Sequence, residues 1–322
     1  MSSARTVFVA DLGGTHLRTA VVDDSGQIYF RAKQQTPRVE SAQGIVDALV
    51  AAARECDGQS SAAGLSADAI SVVAPGTINV GEGSIVKAPN LPFLSGFRLA
   101  DALARELKRP AILENDANAA AVGEMWQGTA RGWQTIVCVT LGTGVGGGII
   151  LRGELWHGAH HAAAEIGHMC VEAFGGVGCA CGSRGCLEVY ASANAIVRMA
   201  REARPQYPNS RLPTDDALTS EQIFCAGVEG DELARETFRR MGVYLGIGLA
   251  NLINILNPEM IVIDGGVVNA WQLFEKHMKH EVSERAFPLL ADLVTIVPGE
   301  CGDDAGLLGA AKLAFARDVK PQ

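Results

Sequence analysis

Short apolar runs alternate with stretches of helical periodicity along most of this chain, the pattern of an α/β protein. Residues 6–10 read as a buried strand and 17–23 as a second, and Asp24-Ser25-Gly26 turns the chain into a third near 28–33. Residues 41–56 then predict a helix with a serine placed to cap it. Further strands are expected at 69–74 and 111–113, with 98–108 helical between them. Three strands before the first helix argue against a Rossmann βαβ order. Farther on, 192–204 and 231–256 carry apolar residues at helical spacing. Pro258 closes the second of these, 260–264 follows as a strand, and 304–316 reads as a final amphipathic helix. Residues 205–219, with several prolines and polar residues, predict a surface loop.

One pattern occurs twice. Residues 7–22 read VFVADLGGTHLRTAVV and residues 136–151 read IVCVTLGTGVGGGIIL. Each is an apolar strand, a Leu-Gly turn with Gly and Thr, and a second apolar strand, and they align without a gap. The separation is too wide for a solenoid. Two unrelated hairpins that both need glycine would look similar, but the flanking strands match in length, which favours duplication. The expected division is an N-terminal α/β domain at 1–117 and a larger C-terminal α/β domain at 118–303. The helix at 304–317 is expected to pack back on the first.

Composition narrows the function. A chain of 322 residues that is 48% hydrophobic and 20% charged can bury two cores and does not read as disordered. The formal net charge of −9, with no Lys or Arg run, argues against nucleic acid as a partner. No basic segment followed by an apolar run opens the chain, and no segment approaches the roughly 20 apolar residues of a membrane helix. Eight cysteines in a chain this long do not form a disulfide scaffold. The expected setting is the cytoplasm, with no membrane partner. Cys56, Cys138, Cys225 and Cys301 sit among apolar neighbours and are expected as buried thiols.

The candidate chemistry begins at Asp11-Leu12-Gly13-Gly14-Thr15. A carboxylate ends a buried strand, and two glycines let backbone N–H groups gather around an anion. With the Thr15 hydroxyl this fits a phosphate tail, Asp11 reaching Mg²⁺ through water. A tight hairpin turn alone would also explain it. No P-loop is present, and the GxGxxG of Gly142-Thr143-Gly144-Val145-Gly146-Gly147 leads into a strand, which rejects a dinucleotide fingerprint. The two Gly-Thr turns together predict a nucleoside triphosphate, Mg²⁺·ATP, held in an interdomain cleft. Glu114-Asn115-Asp116-Ala117-Asn118 follows a strand and opens an Ala-rich helix. One cap would need only one of these polar residues. Asp116 is the expected general base for a substrate hydroxyl, and Asn115 a clamp on it. Gly265-Gly266, after an apolar strand, could lie against an adenine ring, although a strand-to-helix turn explains it equally well.

Cys179, Cys181 and Cys186 fall within eight residues, with glycines between them and His168 upstream. This is the Cys₃His set of a closed structural zinc site. Glu165, His168 and Glu188 would be pinned around the metal, suited to hydrogen-bonding sugar hydroxyls. His157, His160 and His161 are expected as surface or packing residues.

In this order DLGGT, ENDANAAA, LGTGVGGG, EIGH, CACGSRGCLE and DGGVV resemble the ROK family (repressors, open reading frames and sugar kinases), most of all its bacterial glucokinases. The resemblance covers nearly the whole chain. It implies a two-domain actin-like ATPase (ribonuclease H-like) fold, Mg²⁺·ATP as donor, a homodimer, and phosphorylation of a hexose primary hydroxyl, with glucose the expected substrate. It also implies sugar contacts from Asn90, Asn115, Asp116, Glu165, His168 and Glu188, with His168 serving both zinc and sugar. Two positions depart from the family pattern: Ala164 stands where a glycine usually precedes the EIGH glutamate, and His16 where a lysine often follows DLGGT. The rivals are a kinase for another hexose or N-acetylhexosamine, a sugar-sensing repressor, and an actin-like chaperone. The repressor would need an N-terminal helix-turn-helix, for which the first strand leaves no room. The chaperone would not need the cysteine loop.

Overall fold

Strand β1 (Thr6–Leu12) is apolar on both faces, and all of it is buried except a half-buried Asp11. A strand hidden on both sides belongs at the centre of a sheet covered by helices. In the computed structural model, which describes residues 5–214 and 217–317, β1 holds that central place. β2 (His16–Asp23) and β3 (Ile28–Gln35) continue from it as an antiparallel meander. β3 is exposed over its second half, as an edge strand is.

After α1 (Ala42–Ala62), β4 (Ala67–Ala74) pairs parallel on the other side of β1. Ser41 caps α1 as expected, its side chain accepting from the Gly44 N–H. The helix runs past residue 56 and through Gly58, and ends just before Gly64, whose φ is 74°. A small hairpin, β5 (Thr77–Asn79) and β6 (Ser84–Lys87), precedes α2 (Leu99–Leu107). β7 (Ala111–Asn115) then pairs parallel with β4 and passes directly into α3 (Asp116–Gln127). The sheet order is β3-β2-β1-β4-β7.

The second sheet has the same plan. β8 (Ile136–Leu141) and β9 (Val145–Leu151) form the expected hairpin, and β10 (Glu154–Leu155) pairs antiparallel with β9. Four helices follow: α4 (Glu188–Ala191), α5 (Ala193–Ala203), α6 (Ser220–Val228) and α7 (Glu232–Leu256). β11 (Met260–Asp264) is parallel to β8. Beyond α8 (Trp271–Arg285) and α9 (Pro288–Leu293), β12 (Thr295–Pro298) is parallel to β11. The order β10-β9-β8-β11-β12 repeats that of the first sheet strand for strand. The two matching hairpins of the sequence thus open two matching sheets. Residues 215 and 216 of the expected 205–219 loop, and residues 1–4 of the expected first domain, lie outside the described residues.

Two compact units result. One holds the described residues up to Gly132, Gly148–Ala163 and the described residues from Asp303 on; the other holds Trp133–Gly147 and Ala164–Gly302. The expected boundary at 117/118 falls at the start of α3, yet all of α3 stays in the first unit. The cause is the helix Ala305–Ala316, which packs across it. A Cβ on Gly309 would collide with the Ala119 carbonyl, and one on Gly123 with the Ala305 carbonyl. We expect Gly309→Ala to force these backbones apart and destabilise the first unit by about 1–3 kcal/mol. Urea unfolding checks this, and an unchanged midpoint would refute it.

No described helix is long and apolar enough to cross a membrane. Cys56 and Cys138 are buried as expected, but Cys301 is only half-buried and Cys225 is exposed. On α6 the buried residues are Ile223 and Gly227, four apart, and Cys225 lies midway between them on the opposite face.

Candidate functional site

The first unit holds Asp11, the DLGGT turn, Asn90, Asn115 and Asp116. The β1–β2 register sets Asp11 opposite Arg18, whose Nη1 donates to Asp11 Oδ2 at 3.0 Å. Burial pushes the Asp11 carboxyl above its ordinary range, and the Arg18 guanidinium pulls against that shift. Arg18 Nη2 reaches Asp303 Oδ1 at 3.0 Å, and Lys33 Nζ reaches Asp303 Oδ2 at 3.1 Å. Sequence reading missed Arg18. The hairpin register was its available signal.

In the turn itself the Gly13 N–H donates to the His16 carbonyl at 2.9 Å, while Gly14 and Thr15 are exposed. A Cβ on Gly14 would lie 3.5 Å from Asn90 Cβ, so Asn90 stands directly beside the turn. His16 is half-buried, and only its backbone serves the turn.

Asn115 ends β7 and caps α3. Its Oδ1 accepts from the Asn118 N–H at 3.0 Å, and its Nδ2 donates to the Gly76 carbonyl at 3.0 Å. The cap and the expected clamp therefore fall on one side chain, which keeps one amide hydrogen and one lone pair for another partner. Asp116 occupies the first turn of α3, where the helix dipole favours a carboxylate. Beneath it lies Glu114, only 1% exposed. Glu114 Oε1 accepts from the Asn115 N–H at 3.0 Å and from Asn118 Nδ2 at 3.1 Å. Glu114 Oε2 lies 2.8 Å from His157 Nε2. Thus His157 has a specific buried partner 43 positions away, one that no local pattern could reveal.

The second unit gathers the other Gly-Thr turn and the cysteine loop. The Gly142 N–H donates to the Gly144 carbonyl at 3.0 Å, and Thr143 is exposed at the tip. Glu188, the first residue of α4, accepts from the Val145 N–H at 3.1 Å through Oε2. A Cβ on Gly144 would strike that same oxygen, so glycine is needed there for Glu188. Gly265 has φ 89° and packs on the Leu141 backbone, where a Cβ would lie 2.5 Å from the carbonyl. Its glycine is explained by packing. Gly266 faces open space, with nothing within 4 Å of a Cβ built there.

Donor atoms of His168, Cys179, Cys181 and Cys186 all lie within 4.8 Å of one another. His168 Nδ1 is 3.7 Å from Cys179 Sγ, and Cys181 Sγ is 3.7 Å from Cys186 Sγ. Ligands at 2.3 Å around a tetrahedral ion stand about 3.8 Å apart. The four groups fit a single metal ion as they stand. The Cys181 thiol is lowered to about 7, first by the Ser183 backbone and then by Cys179. Cys186 is pushed up to about 12, first by burial and then by its thiol neighbours. Metal binding must expel such protons.

The other ring nitrogen of His168, Nε2, lies 3.8 Å from Glu165 Oε2, and Glu165 is 54% exposed. One imidazole thus faces the thiols with one edge and an open carboxylate with the other. Ala164, just before, has φ 63°. The left-handed region costs an L side chain about 1–2 kcal/mol, a cost that a glycine at this position would avoid.

The chain belongs to the ROK family, whose profile matches residues 7–317. The glucokinase of Halalkalibacterium halodurans is 37% identical over 307 residues, 94% of this chain and 93% of that protein. The crystal structure of a ROK family glucokinase from Streptomyces griseus in complex with glucose and AMPPNP superposes with a TM-score of 0.82 at 32% identity, covering 97% of this chain and 99% of that one. A ROK family transcriptional regulator, a homologue of the E. coli Mlc protein, superposes with a TM-score of 0.88 at 27% identity, covering 98% of this chain and 78% of that one. The fold is the actin-like ATPase fold of the ROK sugar kinases.

Proposed function

We propose that this protein is an ATP-dependent hexokinase that transfers the γ-phosphoryl group of Mg²⁺·ATP to the primary hydroxyl of glucose, giving glucose 6-phosphate. The observation that carries this reading is the two-edged His168: its Nδ1 side meets three thiols and its Nε2 side meets Glu165. A carboxylate beside the second ring nitrogen orients a metal-bound histidine, and because Glu165 is open to solvent it can also accept hydrogen bonds from a polyol.

In this reading His168, Cys179, Cys181 and Cys186 hold a structural Zn²⁺, and the ion fixes the loop that presents Glu165, His168 and Glu188 to the sugar. Asn90 and Asn115 bind further hydroxyls. Asp116 accepts the proton of the attacking hydroxyl, which is a poor nucleophile until that proton leaves. Gly13, Gly14, Thr15, Gly142, Thr143 and Gly144 offer N–H and hydroxyl donors to the phosphates as charge develops, and Gly265 and Gly266 border the adenosine. Arg18 occupies Oδ2 of Asp11, and the other oxygen serves the proposed water-mediated contact with Mg²⁺. When bound, Mg²⁺ neutralises phosphate charge.

The proposed setting is the cytoplasm, as a homodimer. Exposed Ile255 at the end of α7, with Phe287, Leu289 and Leu293 at the adjoining α9, offers apolar surface for a second copy. The test of the activity is a coupled ADP-release assay with Mg²⁺·ATP against a panel of hexoses and N-acetylhexosamines. Fast turnover with glucose is expected. Turnover with another sugar alone would correct the substrate. Sugar binding without any turnover would favour the second reading, a sensor, which the likeness to a transcriptional regulator keeps in play.

A further inference from the structure

We propose that His157 is a positioning residue for phosphoryl transfer, acting through the buried Glu114 to hold the start of α3 on which Asp116 sits. The inference rests on the assignment of Asp116 as the base.

Glu114 is 1% exposed, and a carboxylate there must find donors within the protein. An ionised carboxylate only accepts, so the hydrogen of the 2.8 Å contact sits on His157 Nε2. The donors to the other oxygen flank the base in sequence: the Asn115 N–H comes just before Asp116, and the Asn118 side chain comes two residues after it. One buried carboxylate thereby fixes both sides of the residue that would take the proton. His157 completes it by occupying Oε2.

His157 is itself held. Its carbonyl accepts from the Ala163 N–H at 3.1 Å, and the His161 ring meets its ring edge-on at 6.0 Å. Just before it, the Trp156 N–H donates to the Ile149 carbonyl at 2.8 Å. Gly158, at φ 70°, turns the chain back so that Ala163 closes the short loop. The donor is therefore supplied by a braced segment.

Without the imidazole, Oε2 loses its donor in a site that water reaches poorly. The carboxylate must then rotate or shift to be satisfied, and Asn115 and Asn118 move with it. Displacing a reacting group by about 1 Å can cost about 100-fold in rate. Because the side chain of His157 is 23% exposed and the α3 cap from Asn115 remains, the fold should survive its removal.

The experiment compares full-length wild type, His157→Ala, His157→Gln and Asp116→Asn, measuring kcat, KM for sugar and ATP, and Tm for each. The expected result for His157→Ala is a kcat lower by about 10–100-fold, with KM for ATP unchanged. In His157→Gln an amide N–H can reach the carboxylate, and most of the turnover should return. A purely structural role would lower Tm in both variants without this split and without rescue. Wild-type kcat in His157→Ala, or a loss that His157→Gln does not restore, would overturn the proposal. If Asp116→Asn also keeps near-normal turnover, the base assignment has failed. If Asp116→Asn is inactive while His157→Ala is normal, only the positioning role has.

Discussion

Asp116→Asn should lower kcat by about 10²–10⁴-fold, the usual worth of a positioned general base, while leaving ATP and sugar binding close to wild type. The substitution is nearly isosteric, and the cap of α3 comes from Asn115, so the backbone has no reason to move. The turns proposed to face the phosphates are built from other residues, which separates binding from proton transfer. A coupled ADP-release assay gives the rate, and calorimetry with a non-hydrolysable ATP analogue gives the binding. Turnover within a few-fold of wild type would sink the base assignment. Lost nucleotide affinity would instead show that Asp116 serves the phosphates.

Cys181→Ser should lose bound zinc and sugar affinity together. The other three donors sit within reach of one another, but with a water in place of the fourth thiolate they should hold the ion far less tightly. Cys181 is exposed, so replacing sulfur by oxygen there removes a ligand without opening a cavity. Glu188 is tied to the same loop, its Oε1 being 4.0 Å from Cys179 Sγ, and its Oε2 also braces the Gly144 turn. Loosening the loop should therefore raise the sugar KM by about 10–100-fold, the scale on which groups supporting a metal site act. Metal content by mass spectrometry and sugar KM decide it. A zinc-free variant with unchanged sugar KM would mean that the metal stabilises a loop the sugar does not use.

The parts of this fold that were legible share one trait: their signal is local. β1, β2, β8, β9 and β11 are apolar runs, and the turns between them carry glycine where the backbone needs it. The cysteine loop was legible because four ligand-type residues crowd into a short stretch. Elements with thin signals were not. α8 buries only Phe274, Met278 and Val282 along a polar helix, and β10 is two residues long. α6 begins directly after the expected 205–219 loop and goes unpredicted, its buried face being only Ile223 and Gly227. The site divides the same way. Asp11, Asn115, Asp116 and the glycine turns announce themselves, whereas Arg18 and His157 depend on pairing across a hairpin and across 43 positions. The double glycine at 265 and 266 shows a different limit. Packing on Leu141 accounts for the first of them, and only the second leaves room for a ligand.

The packing of the 305–316 helix on α3 also bears on how the protein is made. During synthesis the first unit has its sheet and α3 in hand after residue 127, but its closing helix emerges only after the whole second unit. Until then Ala119 and Gly123 face no partner, and the apolar side of β1 and β4 that this helix covers stands open. The nascent chain must therefore carry an unfinished half while its later half matures, the reverse of the usual order in which N-terminal domains fold first. A chain released just before residue 305 would have a complete second unit joined to a sticky first one.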